Sequence, residues 1–146
     1  MKGNLRARRD ACAPAAVAVF RVVFGALFAC HGLSKLVGWP ATHAVPVGQW
    51  PLYYAGWIEL VTGALVVIGL FTRIAAGIAC GEMAVAYFIR HLPLGLVPIT
   101  NKGELALLYC FAFLLLVFLG AGAYGLDARR SATTRQLTRS PRGREQ

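Results

Sequence analysis

The chain has 146 residues, of which 58% are apolar and only 14% charged, and its mean hydropathy is +0.60. A soluble domain of this size carries about a quarter charged residues, so the composition excludes an ordinary water-soluble enzyme domain and points to a membrane. The formal net charge of +9 is concentrated outside the apolar stretches, in a pattern that fits anionic lipid rather than nucleic acid.

Four apolar stretches follow one another: Pro14 to Leu33, Tyr53 to Phe71, Ile74 to Ile89, and Glu104 to about Tyr124. Each approaches the length of about 20 residues that crosses a hydrocarbon core. The predicted fold is therefore all-α, an integral membrane bundle of four transmembrane helices. One membrane domain over residues 14–126 is expected, preceded by a basic N-terminus (1–13) and followed by a basic tail (127–146) too polar to pack, which reads as disordered.

The first stretch holds the most informative residues. Arg21, His31 and Lys35 sit in or beside an otherwise apolar helix, and ionisable groups in hydrocarbon are costly and usually functional. At helical spacing Arg21, Phe24, Phe28, His31 and Lys35 fall within about 80° of one another, so one face carries the polar groups and should look into the bundle. A cleaved signal is a poor reading of this stretch, because Arg21 interrupts the apolar region and Phe28 does not suit a cleavage site.

The loops set the orientation. Eleven basic residues fall in the N-terminus, the second loop at Arg73 and the C-terminus, whereas Lys35, Arg90 and Lys102 fall on the opposite side. The positive-inside rule then places both termini in the cytoplasm and the two longer loops outside. The first outer loop, Gly38 to Pro51, contains Trp39, Pro40, Pro46 and Trp50, which forbid a continuous helix and suit the headgroup zone. Phe71-Thr72-Arg73 is so short that helices two and three must be antiparallel neighbours.

Depth selects partners. Counted from the cytoplasmic ends of the apolar stretches, Arg21 lies roughly 11 Å into helix one and Glu82 roughly 12 Å into helix three, so the two are expected to form a buried ion pair. That pair either fixes helix packing or belongs to a proton relay. Glu59 shares a stripe with Gly56 and Gly63, whose lack of side chains permits close helix approach. The outer groups His31, Lys35, Glu59, Asn101 and Glu104, joined by His91, converge on a polar pocket suited to a quinone carbonyl, a proton or a small polar ligand. His91 belongs only if helix three ends near Arg90, since in an unbroken helix it points about 180° away from Glu82. Lys35 and Lys102 have a second reading as residues that snorkel to headgroups.

Cys12, Cys30, Cys80 and Cys110 form no Cys-x-x-Cys pair, which argues against a thioredoxin-like site and against tetrahedral zinc. They read as small packing residues, with Cys30 and Cys110 at similar outer depth as a lesser redox option. No metal site, phosphate loop, nucleophile elbow or haem-ligating histidine pair stands out, and no catalytic residue is assigned.

Arg21 followed by His31-Gly32-Leu33-Ser34-Lys35-Leu36, then Glu59 with GALVVIGLFTR, GEMAVAYFIRHLP and NKGELALLYCFAFLLLVFLGAGAYGLD, resembles the DoxX family of small bacterial membrane proteins over about Phe20 to Asp127. The stretch before Asp127 departs from the Gly-Pro-Gly-then-Ser pattern common in that family. The resemblance implies a four-helix bundle in the bacterial inner membrane. It further implies a role as an accessory subunit of a quinone-linked redox or oxidative-stress complex, with no intrinsic cofactor and quinone as the expected ligand. The partners it allows are the lipid bilayer, a redox-enzyme subunit and further copies of the chain. A non-enzymatic scaffold or a small permease-like bundle is the alternative.

Overall fold

The computed structural model describes residues 2–41 and 43–130. All regular structure among them is helical: α1 (Lys2–Val37), α2 (Leu52–Ile68), α3 (Thr72–Ala86) and α4 (Glu104–Leu119). A π turn over Tyr87–His91 and a 3-10 turn over Leu92–Leu94 extend α3. Two of these helices, Ala11–Val37 within α1 and Thr72–Leu94 along α3 and its extension, are long and apolar enough to cross a membrane, whereas α2 and α4 are shorter apolar helices.

The first helix differs from its sequence-based bounds. It begins at Lys2 rather than Pro14 and runs through Pro14 without ending. Proline removes a single backbone bond and tends to kink a helix, and here the flanking residues carry the helix past it. Thirty-six residues amount to about 54 Å of helix, well beyond the roughly 30 Å of a hydrocarbon core. Residues 126–130, where the basic tail is expected to begin, are helical. Residues 131–146 of the predicted tail lie outside the described residues.

α1 packs along α2, α3 packs along α4, and α2 meets α3 through their tight turn. The α1–α2 seam is built from small residues. A Cβ at Gly32 would lie 2.5 Å from Gly56 O, and one at Gly63 would lie 2.6 Å from Ala29 N, so the two backbones touch and dispersion acts along the whole contact. The core between the helices is apolar, with Phe28, Val66, Ala76, Phe113 and Leu116 buried. Outward faces are equally apolar: Val19, Leu27, Ile74, Ile78, Phe111 and Phe118 are exposed. A surface so rich in large apolar side chains suits lipid rather than water.

One end of the bundle is formed by the α2–α3 turn. α2 ends at Gly69 in the left-handed region (φ 71°), whose N–H donates to Leu65 O and Val66 O. Phe71 follows with φ 49° and starts α3. Asp127 fastens this turn from across the chain. Its Oδ1 accepts from Phe71 N and its Oδ2 from Thr72 N, each at 2.9 Å, while Asp127 N donates to Gly69 O at 2.9 Å. The carboxylate thereby satisfies free amides at a helix N-terminus, where negative charge is favoured. Partial burial pulls the Asp127 carboxyl up, but the Thr72 and Phe71 amides and nearby Arg130 outweigh it and hold the group below the ordinary carboxylate range.

Because the folded chain holds this proton less tightly than the unfolded chain, the cap contributes fully above the ordinary carboxylate range. Its contribution is lost as pH falls through that range to the folded value. Asp127→Asn is expected to lower stability in detergent by about 1 kcal/mol at neutral pH. Thermal melts should show the gap between the native chain and the variant shrinking as pH falls below the ordinary carboxylate range; a gap independent of pH would remove the charged cap.

Candidate functional site

The opposite end of the bundle is formed by the 38–51 and 95–103 loops and holds a cavity of about 450 Å³. α1 contributes Phe28, His31 and Lys35, α2 contributes Glu59, and α3 with its extension contributes Met83, Arg90 and His91. Asn101 and Lys102 come from the last loop and Tyr109 from α4. Of the six residues expected to converge, the structure brings together His31, Lys35, Glu59, His91 and Asn101. Glu104 stays out: it is the first residue of α4 and is exposed, where its charge complements the positive end of the helix dipole.

Lys35 and Glu59 form the centre of the site. Lys35 Nζ donates to Glu59 Oε1 at 2.5 Å, with Glu59 3% and Lys35 27% exposed. The geometry follows from the seam, because a Cβ on Gly56 would lie 3.0 Å from Lys35 Cβ. Lys35 thus crosses above a glycine one helical turn before Glu59. Glu59 Oε2 is buried and has no hydrogen-bond partner among the described residues. A buried carboxylate is tolerated only when paired, and here half of its accepting capacity remains open.

The two histidines differ in their constraints. The exposed His31 sets its ring edge-on to Tyr109, with centroids 5.7 Å apart at 88°. His91 Nδ1 lies 3.1 Å from the backbone oxygen of Asn101. A carbonyl only accepts, so Nδ1 carries the hydrogen, and in the neutral ring Nε2 is left as an acceptor. The π turn over Tyr87–His91 resolves the orientation left open by the sequence. It shifts the helical phase before His91, and the histidine lines the same cavity as Met83.

Asn101 is 1% exposed and braces the loop: Nδ2 donates to Gly95 O and Oδ1 accepts from Gly103 N, both at 2.7 Å. Its side chain is occupied by backbone and shapes the wall. Tyr109 was not singled out by sequence, being one aromatic in an apolar run. It sits 5% exposed at the centre of a ring cluster, with Phe28 at 5.3 Å, Phe113 at 5.9 Å and Phe24 at 6.0 Å. Arg90 and Lys102 add positive charge to the lining. No group of three or more metal-ligating side chains occurs among the described residues.

The expected Arg21–Glu82 ion pair does not form. Arg21, 3% exposed, donates from Nη1 to Val66 O at 2.6 Å and to Val67 O, and so caps the C-terminal end of α2. Both Glu82 carboxylate oxygens are buried without a hydrogen-bond partner among the described residues. The reason is depth. α1 starts far before Pro14, so Arg21 lies level with the α2–α3 turn, whereas Glu82 is ten residues into α3, roughly 15 Å further along.

The sequence profile of the DoxX family, described simply as DoxX, matches residues 16–92. An uncharacterized protein of Haemophilus influenzae is 44% identical over 120 residues, covering 78% of this chain and 90% of the relative. No solved structure matches.

The corrected geometry fixes an energetic test. Arg21→Met is expected to cost about 2 kcal/mol by leaving buried α2 carbonyls without their charged donor. Glu82→Gln should combine with it additively to within about 0.5 kcal/mol in detergent melts. A double variant that recovers most of the Arg21→Met loss would restore the direct pair.

Proposed function

Because the chain belongs to the DoxX family, we propose that it serves as an inner-membrane accessory subunit of a quinone-linked redox complex, with the loop-end cavity as the headgroup site. The observation that carries this reading is the cavity itself. Its volume of about 450 Å³ lies in the range of small-molecule sites. Phe28, Met83 and Tyr109 offer apolar and aromatic walls, and Lys35, Glu59, His31 and His91 supply polar groups from two helices and the turn after α3.

Reduction of a quinone consumes two electrons and two protons. In this proposal the electrons come from a partner subunit, and this chain binds the ring, orients its oxygens and exchanges protons. Lys35 donates to a carbonyl, while the open Glu59 Oε2 and His91 Nε2 accept from a hydroxyl. All four helices cross the membrane in this reading, with the α2–α3 turn and both termini on the cytoplasmic side and the cavity on the outer side. The basic residues near the termini and at Arg73 support that orientation.

The scaffold alternative draws on a different observation. Arg21 and Asn101, two of the most buried polar side chains, direct their hydrogen bonds to backbone carbonyls and amides, which is a packing role.

Titration of a short-chain benzoquinone into the chain in lipid nanodiscs separates the two. Lys35→Met, Glu59→Gln and His91→Ala are each expected to weaken binding about tenfold, as for loss of one hydrogen bond to a charged or buried group, whereas Glu104→Gln binds as the native chain does. Absence of binding by the native chain, or equal binding by all four variants, favours the scaffold. For orientation, Pro46→Cys should be labelled by an impermeant reagent outside whole cells and Ala123→Cys shielded, each in a background without native cysteines; the reverse pattern inverts the topology.

A further inference from the structure

Cys80 on α3 and Cys110 on α4 face each other across the seam between these helices, with their sulfurs 3.6 Å apart. All four cysteines are free thiols, and among the described residues neither Cys12 nor Cys30 has a sulfur neighbour of this kind. The sulfur beside Cys110 is therefore that of Cys80, and not that of Cys30 as depth alone had indicated. Both thiols are half-buried on an apolar bundle, which in the four-span reading above is reached from the acyl chains rather than from water. A disulfide needs the sulfurs at about 2.05 Å, so closure requires an approach of about 1.5 Å from the observed 3.6 Å. The pair also adjoins the cavity: Met83 lies one turn after Cys80, Tyr109 directly precedes Cys110, and both line it.

We propose that Cys80 and Cys110 form an intramembrane dithiol–disulfide pair, oxidised by lipid-soluble hydroperoxides, that staples α3 to α4 behind the cavity wall. In the first step one sulfur takes the terminal peroxide oxygen, its S–H becomes S–OH, and the hydroperoxide leaves as an alcohol. In the second step the other thiol attacks that sulfur, the S–S bond forms and water departs. Two thiols lose two electrons in total, and the O–O bond takes them up. The pair requires no quinone, so it stands whether or not the headgroup site does.

The test uses the full chain in lipid nanodiscs treated with cumene hydroperoxide, then denatured, alkylated with N-ethylmaleimide and weighed intact. The expected product has lost two hydrogens and two alkylation sites, yields a linked peptide joining Cys80 to Cys110, and reverts with dithiothreitol. Cys12 and Cys30 remain alkylated. Cys80→Ser and Cys110→Ser should each abolish the bridge and leave the remaining sulfur of the pair as a sulfenic acid that dimedone traps. Retention of all four alkylation sites in the native chain, a bridge that includes Cys12 or Cys30, or an intramolecular disulfide surviving in Cys80→Ser overturns the proposal.

Discussion

The close approach of α1 to α2 is the constraint from which the rest of the bundle follows. Glycines at positions 32 and 63 leave no room for a Cβ between the two backbones, and only at that separation does Lys35 pass over Gly56 to reach Glu59. A wider seam would leave a carboxylate and an ammonium separately in an apolar interior, each at a cost of several kcal/mol. Small residues here thus do two things: they maximise dispersion between helices, and they bring opposite charges within one hydrogen bond.

The two ends of the bundle handle polar groups differently. At the turn end two charges answer helix termini, although Arg21 Nε and Thr72 Oγ1 are buried without a partner among the described residues. Arg21 takes the last carbonyls of α2, and Asp127 takes the first amides of α3. Each charge answers a helix terminus of opposite polarity, which the macrodipole favours. At the loop end several groups remain open: Glu59 Oε2 has no partner among the described residues, and neutral His91 has its Nε2 left to accept. A structural role is natural for the first set, whereas open acceptors beside a cavity are what a ligand site requires.

Local irregularity creates that cavity. A continuous α-helix through residue 91 would direct His91 about 180° away from Glu82. The π turn over Tyr87–His91 and the loop braced by Asn101 instead hold the ring against Asn101 O. Asn101 ties two of the loop's backbone groups together, accepting from Gly103 N and donating to Gly95 O.

The sequence by itself determined the helical class, the positions of the apolar stretches, the family, and the identity of five residues that line the cavity. It did so because apolar length and isolated charges in hydrocarbon carry strong free-energy signals readable one helix at a time. Glu59 was placed on the glycine stripe of its helix by period alone, since position on a helix face is a local property. Partner choice is not local. Arg21 paired with backbone rather than Glu82 because the true start of α1 displaced it along the bundle, and a carbonyl at a helix end leaves no mark in the sequence. Asp127 and Tyr109 escaped notice for a related reason: their roles depend on residues more than fifty and about eighty positions away in the chain. Tertiary structure alone decided these contacts, because only packing brings helix termini, ring faces and two distant cysteines to a common depth.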